Sequence, residues 1–159
     1  MNPTEKLSLI IKELGNHWGL DGLVYQANEP TLLVFNDEFV VNLTQSHDLQ
    51  YLVVYVNLGT PYHETEDMAN KLLKVEKLLQ LNGALKDKYF GSLAMNTSKA
   101  VIYSYQISIE TLTSQVLENA LDKFIDQAKQ LKQDILAPKE EKPAYNLGEA
   151  AFDDAMVRV

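Results

Sequence analysis

The segment Tyr51-Leu52-Val53-Val54-Tyr55-Val56-Asn57-Leu58 constrains this chain more than any other, because it is apolar on both faces of a pleated strand. Side chains alternate across a strand, so Tyr51, Val53 and Tyr55 fall on one side and Leu52, Val54, Val56 and Leu58 on the other. A sheet with helices on one side needs only one apolar face. The second is left to meet a partner, a tail or another subunit.

The residues around this strand set its context. Asn2-Pro3-Thr4-Glu5 reads as a helix start, with Asn2 capping, Pro3 at the first helical position and Glu5 three residues after the cap. Leu7, Ile10, Ile11 and Leu14 form one stripe that Trp18 continues, Leu9 lies off it, and Gly15 or Gly19 ends the helix. From Leu23 the period becomes two. Strands are expected over Leu23 to Ala27, extended or merged with Thr31 to Phe35 across the break at Pro30, then over Glu38 to Thr44 and Gln50 to Leu58. Asn36-Asp37 suits a tight hairpin turn, since both residues tolerate positive φ, and Phe39, Val41 and Leu43 share the core face of the second strand.

After the turn Gly59-Thr60-Pro61, Thr65 is placed to cap a second helix with Glu66 and Asp67 in its first turn. Met68, Leu72, Leu73, Val75, Leu78, Leu79 and Leu81 give that helix an unusually wide apolar sector, and Asn82-Gly83 reads as its stop. Tyr89 to Met95 and Lys99 to Ile107 form a second hairpin through Asn96-Thr97-Ser98. A long helix from Ile109 or Thr111 to about Ile135 follows, with Leu112, Val116, Leu117, Ala120, Leu121, Phe124, Ala128, Leu131 and Ile135 near a 3.6-residue period. The fold class is α+β: a twisted antiparallel sheet flanked by three helices, in the order α-β-β-β-α-β-β-α. Residues 1–136 make one domain, while 137–159 read as a flexible acidic tail with a short helix near Glu149 to Val157.

Composition narrows the function. A chain of 159 residues with 46% hydrophobic content supports one modest core. Its formal net charge of -8 argues against nucleic-acid binding, which needs clustered Lys and Arg. The absence of cysteine removes disulfides, thiolate catalysis and Cys-containing zinc sites. The first twenty residues carry Glu5, Lys6, Lys12 and Glu13 rather than a signal-peptide pattern, and no run approaches the ~20 apolar residues of a membrane span. A cytoplasmic protein without membrane insertion is expected. The densest ligand cluster, His63-Glu64-Thr65-Glu66-Asp67, does not set two metal ligands on one helical face, and its acids suit a helix start. His17 and His47 lack a companion nucleophile, Gly83 and Gly91 lie too far apart for a phosphate cradle, and Asp153-Asp154 falls in the tail. No catalytic residue, metal or cofactor is expected.

The element order, with Asn36 to Leu43 as first hairpin, Leu72-Leu73 through Leu78-Leu79-Gln80-Leu81-Asn82 as central helix, Gly91 to Met95 and Ala100 to Tyr103 as paired strands and Leu112 to Phe124 in the closing helix, resembles the class I chaperones of bacterial type III secretion, the Tir chaperone family. The likeness spans roughly residues 4–135. It implies a homodimer in the bacterial cytoplasm that binds the unfolded amino-terminal segment of a secreted effector and keeps it secretion-competent without ATP, with secretion-apparatus components as further partners. It also implies effector contacts at Leu7, Ile10, Ile11, Leu14, Val53 and Tyr55, and a dimer interface at Leu78, Phe90, Leu93 and Met95. The alternatives are a non-chaperone adaptor or regulator of the same fold, or a small ligand-binding α+β domain.

Overall fold

A computed structural model of the chain describes residues 1–88 and 90–136. The expected tail at 137–159, its short helix and the start of a strand at Tyr89 lie outside the described residues. The elements run α1 (Pro3–Trp18), β1 (Thr31–Phe35), β2 (Phe39–Gln45), β3 (Tyr51–Gly59), α2 (Met68–Lys88), β4 (Ser92–Met95), β5 (Val101–Ser108) and α3 (Ser114–Leu136). All pairings are antiparallel, in the order β1-β2-β3-β5-β4, so β3 is central and β1 and β4 are the edges.

Local chemistry explains most boundaries. Asn2 Oδ1 accepts the Glu5 backbone N–H at 2.8 Å, which satisfies one of the unpaired donors at the α1 start. At the other end Gly19 is left-handed at φ 70, and the Leu20 N–H donates back to the Gly15 carbonyl at 2.7 Å. Gly15 does not end the helix. It lies inside the helix, where Leu23 crosses it so closely that a Cβ there would lie 2.8 Å from the Leu23 Cβ. The β1–β2 turn has Asn36 and Asp37 both at φ 54, with the Glu38 N–H donating to the Phe35 carbonyl at 3.0 Å.

Three expectations are corrected. Leu23 to Ala27 is not a strand: Leu23 is occupied on Gly15, and the segment makes only an isolated bridge between Gln26 and Glu29. Thr65 does not cap α2. Asp67 does, its Oδ1 accepting the Asn70 N–H at 2.9 Å, while Glu66 precedes the helix and bonds Lys74 Nζ at 2.8 Å. That lysine, followed by the His63 N–H, holds the Glu66 carboxyl below its ordinary range. Nor does Asn82-Gly83 stop α2, which continues through both. Asn82 instead turns its side chain to the sheet, where Oδ1 accepts the Leu93 N–H at 2.8 Å. Tertiary anchoring overrides the local stop signal.

The core lies between the sheet and the pair α1 and α3. Leu7, Ile10, Ile11 and Leu14 from α1, and Leu117, Leu121, Phe124, Ala128 and Leu131 from α3, meet Phe39, Val41, Leu43, Leu52, Val54, Val56, Val101 and Tyr103. Phe124 stacks on Tyr103 with ring centroids 4.7 Å apart. The Tyr103 hydroxyl donates to the Phe90 carbonyl and lies 3.2 Å from Gln127 Oε1, which also accepts the Phe90 N–H at 3.4 Å. Burial pushes this phenol's pKa upward, so it remains a neutral donor.

Two glycines give opposite predictions. Gly91 sits at φ +98, where a Cβ would lie 2.3 Å from the Ser104 carbonyl oxygen, so Gly91→Ala should cost more than about 2 kcal/mol in urea unfolding. Gly83 is helical with nothing within 4 Å of a Cβ, so Gly83→Ala should stabilise by about 0.5–1 kcal/mol.

Candidate functional site

The inner face of the sheet is filled, and among the described residues no helix covers the outer face. Register places Leu32 and Val34 of β1, Val40, Asn42 and Thr44 of β2, Tyr51, Val53, Tyr55 and Asn57 of β3, and Ile102, Ser104, Gln106 and Ser108 of β5 together on the outer side. Ser92 and Ala94 of β4 complete it. Not one of these residues is charged, in a chain whose formal net charge is -8. Leu32, Val34 and Val40 are between 47% and 63% exposed and form an apolar corner in which Val34 pairs directly with Val40. Tyr51, Val53 and Tyr55 extend that surface along the central strand, opposite the buried Leu52, Val54 and Val56.

The corner also adjoins an edge. Among the described residues β1 pairs with β2 on one side and with no strand on the other, which leaves its outer edge a place where a strand could add. Sequence reasoning placed Val53 and Tyr55 on this surface but did not name Leu32, Val34 and Val40. Their signal was available: β1 and β2 carry apolar residues at outward as well as inward positions.

The four residues expected from α1 have a different place. Leu7, Ile11 and Leu14 are fully buried and Ile10 nearly so, packed into the core behind the sheet. A client could touch them only by displacing α3 or the sheet, because a helix stripe in a domain this small is consumed by the core. Leu9, off the stripe, is the exposed apolar residue of that helix.

A second uncovered surface lies on α2. Of its wide apolar sector Leu78 and Leu85 are buried, whereas Met68, Leu72, Leu73 and Leu79 are 62–68% exposed. The residues expected at a dimer interface divide accordingly. Leu78 and Leu93 are buried inside the protomer, while Phe90 and Met95 are partly buried against its core. Phe90 meets the Tyr105 ring edge-on at 4.3 Å. Lysines tie the helix down: Lys71 Nζ reaches the Glu64 carbonyl at 2.9 Å and Lys77 Nζ the Asp134 carbonyl at 2.9 Å.

A hollow of about 560 Å3 lies at the start of α1, lined by Asn2, Pro3, Thr4, Glu5, Ser8, Tyr25, Ala27 and Leu49. Its polar groups already serve one another. The Thr4 hydroxyl and the Tyr25 hydroxyl both donate to Gln45 Oε1 at 3.0 Å, and Asn2 is engaged with Glu5. Among the described residues no three His, Asp or Glu side chains converge as metal ligands, and no helix is long and apolar enough to cross a membrane.

The two faces of the sheet should respond differently to charge. Val40→Lys should change unfolding free energy by no more than about 1 kcal/mol, whereas Val41→Lys, one residue along and fully buried, should cost over about 4 kcal/mol in the same denaturant titration.

A chain of the ExsC–ExsE complex superposes with a TM-score of 0.72 at 17% identity, covering 87% of this chain and 100% of that one. A chain of the HopA1–SchA chaperone–effector complex gives 0.63 at 11% identity, covering 82% and 95%. A chain of the heterodimeric ExoU–SpcU complex, from the type III secretion system of Pseudomonas aeruginosa, gives 0.57 at 14% identity, covering 84% and 99%. No curated protein matches by sequence. The family model of the Tir chaperone protein (CesT) family matches residues 9–132, which includes every strand, all of α2 and most of α1 and α3. The chain therefore belongs to the Tir chaperone protein family.

Proposed function

We propose that this protein is a type III secretion chaperone that binds the unfolded amino-terminal segment of a secreted effector as a homodimer in the bacterial cytoplasm, and that it catalyses no reaction. The observation that carries this reading is the outer face of the sheet, apolar at one corner and free of charge throughout. An unfolded client presents alternating apolar side chains and unpaired backbone groups; the corner takes the former and the β1 edge the latter. The neighbour solved as a chaperone–effector complex supports it, since the matched fold covers more than four fifths of this chain.

Two uncovered surfaces permit a division of labour. Val53 and Tyr55, with Leu32, Val34, Val40 and Tyr51, serve the client. Met68, Leu72, Leu73 and Leu79 on α2 meet a second copy, with Phe90 and Met95 along the border. Leu7, Ile10, Ile11 and Leu14 act from behind by fixing the position of the sheet. An exposed apolar helix face of this extent is costly in water, and a self-complementary pairing of two such faces removes that cost.

The chain should elute near 36 kDa, twice its 18.0 kDa mass, and Leu72→Glu combined with Leu79→Glu should halve that mass without unfolding the protomer. Expressed with its neighbouring reading frames, the wild type should bring down one otherwise insoluble polypeptide. Val53→Asp with Tyr55→Asp should abolish that capture while dimer mass and melting temperature persist. Capture that survives these substitutions would remove the client from this face, and a folded monomeric wild type would remove the dimer.

A further inference from the structure

The edge strand β1 is apolar along its length and acidic at both ends. Leu32 and Val34 point outward and are 56% and 63% exposed. Glu29 stands two residues before the strand and Asp37 two residues after it, both exposed, and among the described residues neither is in an ion pair. The neighbouring acid is different: Glu38 is held by Lys132 Nζ at 3.1 Å. Between Glu29 and Asp37 no residue carries a charge.

An exposed apolar edge invites pairing with its own copy. The acids oppose that pairing. A two-fold antiparallel match centred on Leu33, the middle of β1, sets Glu29 of one protomer beside Asp37 of the other at both ends, and a parallel match in register sets each acid beside its own copy. Like charges facing each other across a strand pair are destabilising. The same two charges attract a strand that carries cations where β1 carries anions.

We propose that the segment this edge selects is a short extended stretch of another protein, with alternating apolar side chains, flanked on both sides by Lys or Arg. Eight steps separate Glu29 from Asp37, so at ~3.3 Å per extended residue the two cationic flanks stand about 26 Å apart. The apolar side chains lie beside Leu32 and Val34 and continue the outer face by one strand, while each flank meets one acid. One pair of acids thus keeps copies of the chain off the edge and marks which foreign segment may take it. This selectivity rests on the reading of the corner as the client site and adds the kind of sequence that the corner accepts.

Two dye-labelled peptides with blocked ends test it: Lys-Lys-Val-Thr-Val-Thr-Val-Lys-Lys, and its counterpart with Glu at the four flanking positions. Each is titrated with the full chain and followed by fluorescence anisotropy. The Lys-flanked peptide should bind at least about tenfold more tightly, and Glu29→Lys with Asp37→Asn should bring the ratio below about threefold. Glu13→Lys with Asp126→Asn alters exposed acids on α1 and α3, makes the same change in net charge, and should leave the preference intact. Val34→Asp separates docking from plain attraction. It adds a negative charge, so unspecific binding of the Lys-flanked peptide would strengthen, whereas docking beside Val34 would be lost. Glu29→Lys alone sets opposite charges together in the antiparallel self-pairing and should yield species heavier than the wild type's; an unchanged mass refutes the part given to the acids against self-pairing. Equal binding of the two peptides, binding of neither, or a preference that Val34→Asp strengthens overturns the proposal. Client capture that is still lost on Val53→Asp with Tyr55→Asp would, in any of those cases, leave the client on this face and remove only the cationic flanks.

Discussion

A five-stranded antiparallel sheet, covered by helices on only one side among the described residues, is the constraint on which the rest of the molecule depends. α1 and α3 fill the inner face with leucine, isoleucine and phenylalanine, and that burial stabilises the domain. The same arrangement leaves β3 with tyrosines and valine facing outward and the β1–β2 corner with leucine and valine. A chain that needed no partner would set charged or polar groups at those positions. This one keeps its charges off the face altogether, although its composition is strongly acidic. The charged groups lie on the surrounding surface.

The position of α2 follows from a trade between local and tertiary preference. Asn82-Gly83 would end a helix on local grounds, yet Asn82 spends its side chain on the Leu93 backbone and the helix runs on to Leu85, which is fully buried. The helix thereby stands at the β4 side of the domain, anchored at Leu78, Asn82 and Leu85 and by lysine contacts to backbone carbonyls. On its opposite side Met68, Leu72, Leu73 and Leu79 are exposed. Among the described residues two apolar surfaces of different shape are left uncovered, a sheet face and a helix ridge.

Sequence carried the architecture well because its signals were local. The Asn2 cap, the Asn36-Asp37 turn and the periods of α1 and α3 are short-range preferences that the fold agrees with at every step. It failed where a distant residue decided the matter. Leu23 looks like a strand residue until Gly15 offers it a seat, and Thr65 looks like a cap until Asp67 stands closer to the helix. The site was legible in proportion to its dependence on alternation. Val53 and Tyr55 could be read outward because β3 is apolar on both faces, but the α1 stripe could not be told from a docking surface, since core and interface use the same residues at the same spacing. Only burial distinguishes Leu7 and Leu14, inside, from Leu72 and Leu79, outside.

The central claim is that the sheet receives a client on the face the helices leave free. A photo-crosslinking amino acid placed at Tyr55, on that face, and separately at the neighbouring Val54, on the buried one, tests it most directly in the complex with the co-expressed effector. The account predicts effector adducts from position 55 and only adducts within the chain from position 54. Effector adducts absent from position 55, in a complex that still forms, would contradict it.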